Sequence, residues 1–233
     1  LGDPLGRPRV HLRRTDSTND RARELAIAGA PHGTLVTAAE QTAGRGRQGR
    51  RWSAPAHSAL LMSLVIRSPP PLLPLIAALA TCEVAGEQAQ IKWPNDIVVA
   101  RPPGLAKLAG ILAEGRPQEG WAVLGIGLNV AIRLADLPAE LHDSAATLGC
   151  SEAEIEPALS QLLEALQRRL ADSPQQTLEA WRARDALRGR SVAWAAGRGY
   201  AEGIDGAGRL VVALAEGGHT SLDAGEVHLL EAG

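Results

Sequence analysis

Five short segments carry side chains whose types and spacing suit chemistry on an anionic ligand. The first, Gly44-Arg45-Gly46-Arg47-Gln48-Gly49-Arg50-Arg51-Trp52, is rich in arginine and glycine. Its glycines fit G-x-G-x-x-G, a weak signal alone, because a dinucleotide turn must open a helix inside a βαβ unit. Ser53-Ala54-Pro55 follows instead, with no apolar helical period, so the dinucleotide reading is poor. A mobile lid suits the residues better. Glycine lets backbone approach a ligand, and guanidinium groups donate to phosphate or carboxylate. The like charges Arg45, Arg47, Arg50 and Arg51 repel one another, which predicts a loop that is loose when empty and ordered by an anion. A solvated basic loop and a nucleic-acid patch compete with this reading; sparse aromatics and a net charge of −2 oppose the second.

Four further segments add fixed polar groups. Ile91-Lys92-Trp93-Pro94-Asn95-Asp96 gathers a lysine, an amide and a carboxylate around a proline corner, which can hold them rigidly at a sheet edge. Lys107-Leu108-Ala109-Gly110-Ile111-Leu112 puts a lone lysine at the mouth of an apolar strand, where a snorkelling surface lysine is the bland alternative. In Gly125-Ile126-Gly127-Leu128-Asn129-Val130, glycine within a strand marks close approach by a ligand. Asp16-Ser17-Thr18-Asn19 opens a helix, and ordinary capping would by itself explain Ser or Thr there.

Composition sharpens the choice. Of 24 basic residues only Lys92 and Lys107 are lysine, asparagine occurs only at Asn19, Asn95 and Asn129, and phenylalanine is absent. This bias looks like codon pressure from a GC-rich genome. Where Lys or Asn survives such pressure, one reading is that chemistry excludes Arg or another residue: an ammonium is a compact mobile charge, and a carboxamide offers an acceptor and two donors on a short stem. Chance survival is the alternative.

The elements that must position these groups follow from periodicity and punctuation. A short helix is expected from Ser17 or Thr18 to about Ala28, a strand over 34–40, a polar loop over 41–57 and a strand over 59–67. A buried helix follows over 75–85, short strands over 91–93 and 96–100, and paired strands over 108–114 and 122–130. Helices are expected over 152–170, where Leu159, Leu162 and Leu166 keep helical spacing, and over 175–187. Beyond Gly189 come short strands between turn residues, a pattern of a small β-barrel that leans on the larger domain for its core. The fold class expected is α+β, a mixed sheet flanked by helices over 1–187, followed by the barrel over 188–233.

The 233 residues are 45% apolar, with no apolar run long enough to span a membrane. The first 14 residues lack the apolar core of a signal peptide, and Cys82 and Cys150 form no C-x-x-C, so a cytoplasmic home without disulfides fits.

Together and in this order, Ser17-Thr18-Asn19, Glu40-Gln41-Thr42-Ala43-Gly44-Arg45-Gly46-Arg47, Lys92-Trp93-Pro94-Asn95-Asp96, Lys107-Leu108-Ala109-Gly110-Ile111-Leu112 and Gly125-Ile126-Gly127-Leu128-Asn129 resemble the biotin protein ligase family. That resemblance implies a class II synthetase-like fold with a C-terminal SH3-like barrel. It implies an enzyme that activates biotin with ATP and Mg2+ as biotinyl-5′-AMP, then transfers it to a lysine of a biotin carboxyl carrier protein. It also implies roles. Ser17, Thr18 and Gln41 hold the ureido ring, with Asn19 in support. Gly44, Arg45, Gly46 and Arg47 close over biotin and the adenylate. Lys107 meets the carboxylate and the α-phosphate, and Gly110 lies on the same strand segment. Asn129 approaches the adenine and Trp52 shapes its pocket. Asn95 and Asp96 sit near the reacting centre, and Lys92 belongs with the ligand-binding residues. Lys107, Arg47 and Asp96 are the expected catalytic groups, Asp96 as orienter or base for the acceptor amine, with metal binding as its rival.

Gln48 departs from the family pattern, where an arginine is common. The 16 residues before Ser17 leave no room for a helix-turn-helix, so no DNA partner is expected. No membrane partner is expected either, and the oligomeric state is left as monomer or homodimer. A lipoate ligase or lipoyl transferase is the nearest rival, but would lack the Gly-Arg-Gly-Arg and Lys-Trp-Pro-Asn-Asp segments. A non-catalytic module binding anions or nucleic acid is the other.

Overall fold

A computed structural model describes residues 4–223 and 225–230. Residues 1–3 and 231–233, at the outer ends of the two expected domain spans, lie outside the described residues.

The first sheet has seven strands in the order β1-β2-β3-β7-β6-β5-β4. These are β1 (Arg9–Leu12), β2 (Leu35–Ala38), β3 (Ala59–Arg67), β4 (Gln90–Lys92), β5 (Asp96–Arg101), β6 (Gly104–Arg116) and β7 (Trp121–Asn129). β1 runs parallel to β2 and every other pairing is antiparallel, so the sheet is mixed.

Alternation along β3 sorts two layers. Leu60, Met62, Leu64 and Ile66 join the main core, under α2 (Leu73–Ala85) and α3 (Ile155–Arg169). Val65, with Val36 and Val123, meets Ala22 and Ala26 of α1 (Thr18–Ile27) on the opposite face. A strand shows its two faces with period two, so β3 is buried on both sides and reads as an almost continuous apolar run. Ser63 interrupts that run, on the α1 face.

Several boundaries differ from the sequence reading. β1 was not expected; Val10 and Leu12 alternate with Arg9 and His11, but over only four mostly exposed residues, and the strand is defined by its parallel pairing with β2. α2 starts earlier, with Pro74 in its first turn, where a missing N–H is tolerated. α4 (Pro174–Arg182) ends before Leu187. The chain beyond it leaves the helix to bond β4: Ile91 N donates to Arg184 O (2.7 Å) and Ala186 N to Ile91 O (2.9 Å).

The C-terminal strands β8 (Ser191–Trp194), β9 (Gly197–Ile204), β10 (Leu210–Ala213), β11 (His219–Leu222) and β12 (His228–Leu229) form a separate antiparallel sheet in the order β11-β10-β9-β8-β12. Its buried Val192, Ala201, Leu210 and Val212 belong to the main apolar cluster, so this sheet leans on the larger body as expected. Polar ties reinforce the seam. Trp93 Nε1 donates to Gly208 O (3.1 Å), and Arg182 donates to Ile204 O (3.0 Å). Among the described residues no helix is long and apolar enough to cross a membrane.

Candidate functional site

A cavity of about 450 Å³ opens on the α1 face of the seven-stranded sheet. That is within the usual range for small-molecule sites, roughly 300–1,000 Å³. All five segments reach it, with side chains or backbone.

One wall is neutral and buried. Gln41 Oε1 accepts from Thr18 N (2.7 Å) and Thr18 Oγ1 (3.0 Å). This fixes the amide, because only its oxygen can face an N–H, and leaves Gln41 Nε2 without a protein partner among the described residues. The Ser63 hydroxyl, 0% exposed, lies 2.8 Å from Thr18 Oγ1 and 2.6 Å from Asn19 Oδ1. Asn19 Nδ2 in turn donates to Glu114 Oε2 (3.0 Å). Ser17 stands at the N-cap of α1, yet its hydroxyl makes no capping bond and lines the cavity. Capping therefore does not account for Ser17.

The glycines are required by close approach. A Cβ on Gly125 would collide with Asn19 Oδ1. Gly110 and Gly127 are cross-strand partners, and a Cβ on them would fall 3.0 Å from Trp52 Cζ3 and 2.7 Å from Trp52 Nε1. The indole thus packs against both glycines. Its Nε1 is buried and unpartnered among the described residues.

The charged groups gather beside these glycines. Lys107 and Gly110 are three residues apart and would face opposite ways on a regular strand. The β5–β6 register shifts between Ile97 and Val98, whose partners are Ala109 and Lys107. The extra residue, Leu108, turns Lys107 onto the Gly110 side; a β-bulge re-aims a side chain in this way. Lys107 Nζ is 5.5 Å from the Trp52 ring centroid and 2.6 Å from Asp96 Oδ1. That ion pair is close but lacks the alignment of a directed hydrogen bond, so the carboxylate oxygen is without a hydrogen-bond partner. The Lys107 side chain remains 37% exposed, open to the cavity. Burial lowers the pKa of Arg47, an effect that Asp96 opposes. Burial also lowers that of Lys92, with Asp96 and Glu226 opposing and Lys107 and Arg50 adding to it. Both cations are therefore incompletely compensated and favour an incoming anion.

The arginine loop is folded back on itself. Trp52 N donates to Gly44 O (2.9 Å), Gly46 N to Arg50 O (2.7 Å), and Arg45 bridges Arg51. Self-repulsion does not dominate it, because three of the four arginines have their own acceptors. Arg45 pairs with Asp20 and Glu114 (2.7 Å each), Arg50 with Glu226, and Arg51 donates to Thr42 O (2.8 Å). Arg47 has no ion pair or side-chain hydrogen bond among the described residues.

Two asparagines have structural engagements that the sequence did not reveal. Asn95 Nδ2 donates to Ile111 O (2.9 Å), splicing the proline corner to β6. Asn129 Nδ2 donates to Ala146 O (2.7 Å). Ser63, Glu114 and Glu226 were missed. Ser63 left a trace, as a hydroxyl inside an apolar strand; Glu226 left none, since its partner is distant in sequence.

A family model described as the biotin/lipoate A/B protein ligase family matches residues 11–130. A bifunctional ligase/repressor BirA from Bacillus subtilis is 42% identical over 150 residues, 59% of this chain and 45% of that protein. A biotin–[acetyl-CoA-carboxylase] ligase from Mycobacterium tuberculosis is 36% identical over 173 residues, 67% of this chain and 61% of that protein. The chain thus spans about half the length of the curated relatives it matches. The biotin protein ligase from Aquifex aeolicus, solved in complex with biotin and ATP, superposes with a TM-score of 0.80 at 25% identity, covering 97% of this chain and all of that one.

Proposed function

Since the chain belongs to the biotin/lipoate A/B protein ligase family, we propose that it activates biotin with ATP and passes it to a lysine of a biotin carboxyl carrier protein. One observation carries the choice: a neutral wall of Ser17, Thr18 and Gln41 shares a single cavity with the cations Arg47, Lys92 and Lys107. A ureido ring presents one carbonyl and two N–H groups, which suits hydroxyls and a carboxamide. A carboxylate and a phosphate suit the cations.

In the first step a biotin carboxylate oxygen attacks the α-phosphorus of ATP. The bond from that phosphorus to the bridging oxygen breaks and pyrophosphate leaves. Two anions must meet, so Lys107 and Arg47 offset their repulsion as charge develops. Lys107 exchanges Asp96 for the substrate oxygens. Arg45 serves as an anchor for the loop, with Gly44 and Gly46 giving it a close-fitting backbone. Trp52, with its unpartnered Nε1, shapes the nucleotide side of the pocket beside Gly110 and Asn129; a buried unsatisfied donor costs roughly 1–3 kcal/mol, so a ligand acceptor there is favoured. Asn95 holds the corner that carries Lys92 and Asp96.

In the second step the acceptor lysine's neutral amine attacks the acyl carbon, AMP leaves, and one proton must be removed. Asp96, released from Lys107, orients or deprotonates that amine in this reading. Among the described residues the cavity wall offers only Asp96 and Glu226 as carboxylates, and no group of three metal-ligating side chains exists. Mg2+ carried on the ATP phosphates would help to neutralise them. We place the reaction in the cytoplasm, and the domain boundary near residues 187 and 188, where hydrogen bonding passes from one sheet to the other.

The test is pyrophosphate release with ATP, Mg2+ and either biotin or lipoate, without acceptor. Release that depends on biotin supports the proposal. Release with lipoate alone transfers the assignment to a lipoate ligase, and silence with both favours a non-catalytic module.

A further inference from the structure

The arginine loop is gripped at two places by two different parts of the molecule. At its start, Arg45 is held by Asp20 of α1 and Glu114 of β6. At its end, Arg50 is held by Glu226, which precedes β12 in the C-terminal sheet. Between these grips the turn at 47–49 bends sharply, with Gln48 and Gly49 at positive φ, and presents Arg47. Glu226 also faces Lys92 across the cavity.

We propose that Glu226 is a positioning residue: through Arg50 it anchors the loop to the C-terminal sheet and so sets where Arg47 stands over the cavity. The sheet is a firm base for such a grip. Its buried residues share the main core, and Trp93 ties its β9–β10 turn to the same corner that carries Lys92 and Asp96. The anchor and the reacting groups are therefore referenced to one rigid body. Burial pushes the Glu226 carboxyl up, but Arg50, His228 and Lys92 more than offset this and hold it below the usual glutamate range. The carboxylate is thus charged at neutral pH. An ion pair of this exposure is modest in strength, which suits a contact that must release when substrate enters or product leaves.

The catalytic consequence rests on the ligase reading above, whereas the anchoring does not, so the test uses the ligand-free protein. Amide hydrogen exchange is followed over residues 44–52 in the unmodified protein, Glu226→Gln, Glu226→Asp and the charge swap R50E/E226R. Exchange in the loop is expected to rise about two- to five-fold in Glu226→Gln, the population change such a pair supplies. Glu226→Asp should fall between, and the swap should restore slow exchange. Unchanged loop exchange in Glu226→Gln overturns the proposal. So does a rise shared equally by β8–β11, which would assign Glu226 to folding of the sheet. Tighter binding of inorganic pyrophosphate without loop loosening would also overturn it, making Glu226 a competitor for the phosphate seat.

Discussion

The neutral wall of the cavity and the arginine loop above it use opposite physics. The wall is built from buried, uncharged hydrogen bonds running Gln41–Thr18–Ser63–Asn19, closed by Glu114. Its members have few alternative partners, and a vacancy leaves buried polar groups unpaired. The loop is built from half-exposed ion pairs whose members can trade a protein carboxylate for a substrate anion. A rigid wall selects shape and hydrogen-bond pattern; an exchangeable loop responds to charge. Lys107 belongs to both, fixed by a strand bulge yet covered by the loop's Trp52.

The largest expected effect falls at that junction. Lys107→Met should slow biotin-dependent pyrophosphate release by about 10²–10³-fold, the usual loss when a charge-stabilising donor is removed. Single-turnover kinetics would check it, and a rate near that of the unmodified protein would remove Lys107 from the first step. Next, Gly127→Ala drives a methyl into the Trp52 ring while sparing the neutral wall. Overpacking of about 1–3 kcal/mol should weaken ATP binding roughly 10- to 100-fold and leave biotin binding nearly unchanged. Calorimetric titration of each substrate separates the two; equal losses would merge wall and loop into one unit.

Asn19→Ala should act first on the wall, reaching the loop only through Glu114, which also holds Arg45. It strips Ser63 and Glu114 of a partner and should cost about 1–3 kcal/mol. The melting temperature should then fall by roughly 2–12 °C at this chain length. An unchanged melting curve would contradict a tightly coupled wall. The smallest effect concerns pH. Glu226 has a folded pKa below its unfolded value, so its grip on Arg50 is present above the ordinary glutamate range and lost as pH falls through the depressed value. Loop exchange, corrected for intrinsic pH dependence, should therefore stay slow through the ordinary glutamate range and rise only below it. A rise centred on the ordinary value would show an unperturbed carboxyl.

Much of this was legible in the sequence because it is local. Apolar runs marked β3, β6 and β7, and the rarity of lysine and asparagine drew notice to Lys92, Lys107, Asn19, Asn95 and Asn129. What escaped is long-range. A one-residue bulge at Leu108 decides which way Lys107 faces, and it depends on pairing with β5. Nothing near Asn95 or Asn129 reveals that their amides bond to Ile111 and Ala146. β1 is only four mostly exposed residues long, too short for its alternation to stand out, and Glu226 acquires its role only when the C-terminal sheet docks beside the loop.

The central claim is that one cavity joins biotin to the α-phosphate of ATP. Native mass spectrometry of the chain after incubation with biotin, ATP and Mg2+, without acceptor, tests it most directly. The account predicts one non-covalently held biotinyl-adenylate per chain, absent from Lys107→Met at short times. Biotin and ATP retained side by side with no condensed species, or a lipoyl-adenylate formed in preference, would contradict it.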